Sequence, residues 1–298
     1  MTNEYLRKPL RSKLSPLFNL IRAKPLGAFG ALVVIIMIVL AIWPTLFSPA
    51  DPYKTFVGPR LSAPSIDHPF GTDGLGRDIL SRTVYGARFS VYIGLTSVLI
   101  GITGALIIAV ISGYYGALLD LLLQRIVDTL LAVPGLVLAL FVLALFKPSP
   151  ETMILTLAVV FMAPSIRTIR AAVLSVKQMP YIESARAIGA STPRILIRHI
   201  VPQIMALYMV LISLTIGGAI IAETSLSFLG LGLSPDDPTW GNLVQKGTRD
   251  LFLVGVWQPI PPAIAIALCV FGFNLLGDAL RDVLDPRLRG SGVRGIRR

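Results

Sequence analysis

The chain has 298 residues, of which 54% are hydrophobic and only 14% are charged, and its mean hydropathy is +0.75. Soluble domains carry about 25% charged residues, so this composition excludes an ordinary soluble protein and makes the lipid bilayer the expected surroundings. The formal net charge is +11, but the Lys and Arg residues stand between apolar runs. That pattern is typical of membrane orientation and not of a basic face that binds nucleic acid, so no nucleic-acid partner is expected.

Six stretches are apolar enough to be considered as membrane spans, since a bilayer core of about 30 Å is crossed by roughly 20 apolar residues in a helix. The fourth stretch is the shortest, because Arg167 interrupts it. The sequence therefore predicts an all-α integral membrane protein with six transmembrane helices and both termini on one side. The six stretches are 26–47, 89–119, 129–146, 152–167, 200–222 and 251–277.

The basic residues predict the orientation of these helices. They are concentrated in the N-terminal tail, in the loop between the fourth and fifth stretches, and at the C-terminal end. Cytoplasmic segments of membrane proteins carry the excess of Lys and Arg, so the expected topology is N-in and C-in. The predicted division is a cytoplasmic tail 1–25, a first transmembrane helix 26–47, a periplasmic loop 48–88, a five-helix core 89–283 that contains a cytoplasmic loop 175–202 and an outer loop 228–258, and a cytoplasmic tail 284–298.

A stripe of small residues recurs every fourth position on the second stretch. Small residues at this spacing let helix backbones approach closely in lipid. Two roles are consistent with the pattern, static packing of the bundle and a moving interface that opens and closes a pathway. The stripe consists of Ser97, Gly101, Ala105, Ala109 and Gly113.

Three acidic residues, Asp120, Asp128 and Glu223, lie at or near the ends of the apolar stretches. Acids within a membrane are costly, and they usually line a pathway or pair with a base. Arg125 precedes Asp128 by three residues and could neutralise it as a helical neighbour. Glu223 is expected near the outer end of the fifth stretch, within reach of water, where a role in proton relay is an alternative.

The residues show no pattern of a catalytic, cofactor-binding or metal site. The glycine-rich segment 71–76 does not fit the phosphate-loop pattern G-x-x-x-x-G-K-[ST], and no Lys in the chain does. Cys269 is the single cysteine, so no disulfide can form within the chain, and His68 and His199 are isolated in sequence. Any ATP is therefore expected to be hydrolysed by a partner.

The cytoplasmic loop 175–202 is the most informative segment. Pro180 suits the first position of a short helix and Gly189 its left-handed end. Thr192 is expected to cap a second short helix with Pro193 at its first position. From these residues alone, the loop is either a docking surface for another protein or an amphipathic linker lying among the lipid headgroups.

The motif Glu183-x-Ala185-x-x-x-Gly189, followed by Pro202, resembles the EAA loop of permeases of ATP-binding-cassette (ABC) importers. Ser184 stands where that motif has its first Ala. The resemblance implies that this loop docks on a cytoplasmic ATPase, with Glu183, Ala185 and Gly189 carrying the contact. The residues expected to couple to the ATPase are Glu183, Ser184, Ala185, Arg186, Gly189 and Pro202.

Other segments resemble one branch of that family, the second (C-type) permease subunit of dipeptide, oligopeptide and nickel importers. They cover nearly the whole chain, and they are 70–78, 85–88, 223–232, 238–241, 274–282 and 285–287. The resemblance implies a bacterial inner-membrane permease that works by alternating access. It also implies three kinds of partner: a homologous second permease subunit, two cytoplasmic ABC ATPases that hold ATP and Mg, and an extracytoplasmic substrate-binding protein.

Peptides are the expected solutes by resemblance, with nickel chelates, glutathione and short sugars as open alternatives. Three other classes of protein also stay open. An ion-coupled secondary transporter would need ion or proton sites at broken helices near the bilayer midplane. An intramembrane enzyme would need a nucleophile–base pair or a metal pair, and a membrane assembly subunit would show no transport after reconstitution.

Overall fold

The structure is a computed structural model that describes residues 24–250 and 257–284. These residues form helices joined by turns, with one isolated β-bridge between Thr72 and Asp78. The all-α prediction is confirmed. In chain order the helices are α1 (Pro25–Ile42), α2 (Pro44–Phe47), α3 (Ile79–Tyr115), α4 (Ala117–Leu131), α5 (Gly135–Leu145), α6 (Pro150–Lys177), α7 (Pro180–Ala187), α8 (Thr192–Ile195), α9 (Val201–Phe228), α10 (Trp240–Arg249) and α11 (Ile260–Leu284), and a π-helical turn, Leu196–Ile200, joins α8 to α9.

Within the described residues, five helices are long and apolar enough to cross a membrane: α1, α3, α6, α9 together with the turns that precede it, and α11. A sixth span exists if α4 and α5 count as one. The axes of these two helices meet at 87°, so residues 129–146 do not form the continuous helix that the sequence predicts. Pro134 explains the break, because it lacks an amide hydrogen and disfavours helical geometry in the residue before it.

The second span is longer than the apolar run that revealed it. Helix α3 begins at Ile79 instead of residue 89, and the Asp78 carboxylate caps it by accepting the amide hydrogen of Ser81 at 2.7 Å. The charged Arg82 lies inside this extra part of the helix. Its guanidinium is fully buried and donates to the carbonyl oxygens of Pro52 and Asp236. Because uncharged stretches are used to locate the spans, the predicted start of this helix lies ten residues too late, after the charged residues at its beginning.

Two other helices also continue past the charged residues at which the predicted stretches stop, Arg167 and Glu223. Helix α6 continues past residue 167 to Lys177, and α9 continues past residue 222 to Phe228. Helix α11 begins at Ile260, and the part of the predicted sixth span that covers 251–256 lies outside the described residues. The predicted tails 1–25 and 284–298 also fall almost wholly outside them.

Helix α3 is the centre of the bundle and packs against α1, α6 and α9, while α11 packs against α1 and α9. The small-residue stripe is buried along α3. At two of its positions α6 lies close enough to exclude a side chain: a Cβ at Gly101 would lie 2.6 Å from the Ala158 carbonyl oxygen, and one at Gly113 would lie 2.9 Å from Val173 Cγ1. The stripe is thus a close-packing face, and its role as a moving interface stays a prediction.

Residues 48–78 and 229–250 form a folded cap over the end of the bundle at which α3 begins. Trp240 is buried in this cap, and its indole nitrogen donates to the Thr83 carbonyl oxygen at 2.9 Å. Arg77 donates to Asp73 at 2.7 Å. Burial raises the pKa of the Tyr53 phenol to about 12, and the nearby Asp237 carboxylate adds to the effect. The segments 48–78 and 229–250 therefore form an ordered surface instead of loose loops.

Candidate coupling surface

The loop after α6 forms a compact elbow, defined here as residues 178–200. Helix α7 begins with Pro180 at its first position and ends at Ala187, and Gly189, whose φ is +80°, follows the Ile188 cap. The Gly189 amide donates to the Arg186 carbonyl at 2.9 Å, and the Ala190 amide donates to the Ala185 carbonyl at 3.0 Å. This pair of hydrogen bonds is the Schellman motif that a left-handed glycine permits. The predictions for Pro180 and Gly189 are confirmed.

The second half of the elbow differs from the prediction. Ser191, not Thr192, occupies the capping position, and its side chain makes no capping hydrogen bond. Helix α8 has only four residues and runs through the π-helical turn into α9, so it is the bent start of a span and not a separate helix. Pro202 accounts for the turn, because it cannot donate a hydrogen bond to the carbonyl four residues earlier.

The elbow has an inner and an outer face. Ala185 points inward with Ile182 and Ile195, and all three are buried. The tip of the elbow carries the apolar side chain of Ile188, which is 85% exposed. The other predicted coupling residues within the elbow are exposed, and they are Glu183, Ser184, Arg186 and Gly189. Pro202 is exposed in the first turn of α9, just beyond the elbow.

A cleft of about 450 Å³ opens between α7 and the segment formed by α8 and the π-helical turn. Arg194, Arg198 and His199 form one wall, and the Tyr181 and His199 rings lie 6.4 Å apart. Neither arginine pairs with a carboxylate in the described part of the chain. The cleft is therefore electropositive, and it suits an acidic surface on a partner. The motif alone did not reveal this wall, although its arginines were visible in the sequence.

Two cations fix the elbow to the end of α3. The Lys177 ammonium donates to the Tyr114 carbonyl oxygen at 2.5 Å, so it caps the negative end of the helix dipole. The Tyr114 ring lies under both Lys177, at 5.6 Å, and the Arg186 guanidinium, at 5.3 Å. Through the Arg186 guanidinium and the Tyr114 ring, α7 is thus in direct contact with the central helix.

Two ion pairs connect α4 to α6 near the elbow, and they are called the ladder here. Arg170 binds Asp120 through both Nε and Nη2, and Ser112 also donates to Asp120. Arg167 binds Asp128. The prediction that Arg125 neutralises Asp128 is wrong, because the partner comes from a helix distant in sequence, which local spacing cannot reveal.

Glu223 and His68 also have partners that the sequence did not indicate. Glu223 is fully buried and accepts hydrogen bonds from the hydroxyls of Ser227, at 2.9 Å, and Thr224, at 3.3 Å. The expected access of water to this carboxyl group is therefore wrong in this subunit. His68 contacts the buried Asp78 carboxylate at 3.0 Å, so it is not isolated.

Residues 101–290, which include the elbow, the ladder and most of the bundle, match the family described as binding-protein-dependent transport system inner membrane component. The chain belongs to this family. It is 39% identical over 272 residues, 91% of this chain and 90% of the relative, to a putative peptide transport system permease protein of Brucella suis. It is 40% identical over 270 residues, 90% and 89% of the two chains, to the glutathione transport system permease protein GsiD of Escherichia coli O6:K15:H31.

These similarities confirm the resemblance stated from the sequence. The chain is a multi-pass, inner-membrane permease of the ABC importer type, and permeases of this kind work with ATPases and a substrate-binding protein. The elbow, whose sequence resembles the EAA loop, lies within the matched residues. Its exposed outer face, its basic cleft and its connections to α3 are the features that suit a docking and coupling surface.

Proposed function

We propose that this permease moves di- and oligopeptides into the cytoplasm by alternating access, and that the elbow couples it to ATP hydrolysis. One observation supports the coupling role above the others. The elbow presents an exposed apolar tip at Ile188 beside an electropositive cleft, while its Arg186 and the preceding Lys177 both contact Tyr114 at the end of α3. A surface of this kind receives a partner on one side and transmits its movement on the other.

The proposed assembly contains a homologous second permease subunit, two cytoplasmic ABC ATPases and an extracytoplasmic substrate-binding protein. ATP and Mg are bound and hydrolysed by the ATPases, and this chain carries no catalytic activity of its own. The coupling residues remain Glu183, Ser184, Ala185, Arg186, Gly189 and Pro202, with Ala185 acting from the inner face of α7. Arg194 and Arg198 join them as the basic wall that meets an acidic surface of the ATPase.

The similarity to relatives named for peptide transport supports peptides as the solutes. Glutathione is a second candidate, because relatives of equal similarity are named for its transport and because it is itself a tripeptide. Nickel chelates and short sugars are weaker alternatives, with no relative named above in their favour.

An ion-coupled secondary transporter is one of the three rival classes. Such proteins place ion or proton sites at broken helices near the midplane. The break between α4 and α5 is lined by apolar residues such as Val133, Leu138 and Val160. The acids Asp120 and Asp128 are engaged with arginines elsewhere. This arrangement favours coupling to ATP.

The test uses the complete complex, purified and reconstituted in vesicles with the substrate-binding protein added outside. Uptake of a labelled dipeptide, a tetrapeptide and glutathione is measured with ATP, with a non-hydrolysable analogue and with a proton gradient alone. We expect uptake only with ATP. Uptake driven by the proton gradient without ATP would contradict the proposal, as would ATP hydrolysis that no peptide stimulates.

A further inference from the structure

Two hydroxyl groups form a hydrogen bond between helices whose surroundings are otherwise mainly apolar. Thr103 on α3 and Tyr208 on α9 form a hydrogen bond of 2.9 Å between their hydroxyl oxygens. Thr103 is exposed and Tyr208 half-buried, so the pair lies at the surface of the subunit and not in its core. This pair is neither part of the elbow nor part of the ladder.

The position of the pair along its helices places it deep in the bilayer. At 1.5 Å per residue, Thr103 lies about 22 Å along α3 from Arg88 and about 18 Å from the other end of the helix at Tyr115. Tyr208 lies about 15 Å from Arg198 and about 22 Å from Glu223. A tyrosine at this depth does not belong to the aromatic belt at the membrane–water boundary.

Lipid is a poor neighbour for this pair. A hydroxyl group offers one donor and two acceptor positions, so one shared hydrogen bond leaves capacity on both Thr103 and Tyr208. Hydrocarbon cannot use that remaining capacity, whereas a polar neighbour can. The exposed side of the pair is therefore suited to a polar neighbour.

The residues around the pair indicate what that neighbour is. Met205 and Met209 share one face of α9 with Tyr208, at i, i+3 and i+4, and they are 38% and 44% exposed. Unbranched thioether side chains adapt to many shapes and are common on surfaces that bind varied partners. Hydroxyls that bind amide groups beside a deformable apolar wall fit a peptide, whose backbone is constant and whose side chains vary.

We propose that Thr103, Tyr208, Met205 and Met209 line the translocation pathway and contact the peptide during its passage. The hydroxyl pair replaces water around the peptide backbone, and the methionines accommodate the side chains. The inference rests on the proposed function, because it takes a peptide as the solute. It goes further by assigning the pathway to one face of α3 and α9.

Cysteine labelling of the reconstituted complex tests this assignment. The single cysteine, Cys269, is buried and is replaced by Ser to give a thiol-free background. Thr103→Cys is then compared with Ile36→Cys, a 46% exposed position in the apolar part of α1. Because a hydrophilic reagent attacks the thiolate, which forms in water and is suppressed in apolar surroundings, we expect labelling of Thr103→Cys at least about tenfold faster. Peptide with its binding protein should slow that labelling.

Two results would overturn the inference. One is labelling of Thr103→Cys as slow as that of Ile36→Cys, which means a lipid neighbour. The other is fast cross-linking to the second permease with no protection by peptide, which means a subunit interface. A complex that takes up no peptide would instead overturn the proposed function, so the two failures are distinguishable.

A second measurement does not depend on labelling. Tyr208→Phe removes one hydroxyl, and since a hydrogen bond contributes about 0.5–1.5 kcal/mol we expect uptake to fall by roughly two- to tenfold, by a similar factor for peptides of different side chains. Tyr115→Phe is the matched control, because the Tyr115 side chain is exposed at the end of α3, about a third of a turn away from the face that carries Thr103, and its hydroxyl has no hydrogen-bond partner in residues 24–250 or 257–284. An equal effect of both substitutions, or no effect of Tyr208→Phe, would contradict the assignment.

Discussion

At the scale of single residues, the conformation of Gly189 determines the shape of the elbow. Its φ of +80° is costly for any residue with a Cβ, by about 1 kcal/mol, yet no atom lies within 4 Å of the position that a Cβ would take. The cost of Gly189→Ala is therefore conformational and not steric. We expect this substitution to loosen the Schellman turn and to lower peptide-stimulated ATP hydrolysis and uptake together by several-fold.

Gly230 provides a matched control for that experiment. It ends α9 in the same motif at the opposite end of the bundle, with a φ of +84° and donor–acceptor distances of 3.0 Å. Gly230→Ala should lower the thermal stability of the complex about as much as Gly189→Ala, while leaving coupling largely unchanged. Equal losses of coupling in both variants would mean that Gly189 acts through stability alone.

Residue patterns predicted the elbow only in part. Pro180 and Gly189 were predictable because each restricts its own backbone, and such local rules are visible in a sequence. The contacts of Arg186 and Lys177 with Tyr114 were not, because they join residues far apart in the chain. The inward direction of Ala185 likewise depends on what α7 packs against.

At the scale of helices, the ladder determines how α4 is held against α6. The Asp120–Arg170 pair is partly buried, with side-chain exposures of 16% and 28%, whereas the Asp128–Arg167 pair is at 43% and 54%. Removing one partner of a buried pair leaves an uncompensated charge, whereas exposed pairs contribute little because water screens them. The two ion pairs of the ladder should therefore contribute unequally to stability.

We expect Arg170→Ala to destabilise the complex by about 1–3 kcal/mol and Arg167→Ala by less than about 1 kcal/mol. Thermal unfolding of the purified complex in detergent measures both. Exchanging the charges, with Asp120→Arg and Arg170→Asp together, should recover part of the loss. Similar losses for Arg170→Ala and Arg167→Ala would show that the buried pair has no special importance.

Helices were predictable wherever composition alone determines them. The long apolar runs revealed α1, α3, α9 and most of α11, but the ends of these helices depend on charges that the fold neutralises. Arg82 lies inside α3 because backbone carbonyls surround it, and Arg170 lies inside α6 because Asp120 binds it. The break between α4 and α5 could have been predicted from Pro134, which the search for uncharged runs ignored.

At the scale of the whole molecule, the cap and the elbow lie at opposite ends of α3, about 55 Å apart along a helix of 37 residues. Basic side chains dominate the elbow end, including Lys177, Arg186, Arg194 and Arg198, whereas the cap mixes both signs of charge. The excess of basic residues is retained on the cytoplasmic side during insertion. This separation predicts that the elbow faces the cytoplasm and the cap faces the periplasm.

Labelling from one side of the membrane checks this orientation. Ile66→Cys in the cap, at a position 99% exposed, and Ala187→Cys in the elbow are each introduced with Cys269→Ser. In intact spheroplasts an impermeant maleimide should modify only Ile66→Cys, and after permeabilisation it should modify both. The reverse pattern would invert the topology and place the basic cleft where no ATP-hydrolysing partner could reach it. The permease is expressed without its ATPases, so that no partner covers Ala187 and both thiols lie in water; a difference between them then reports the side of the membrane and not burial.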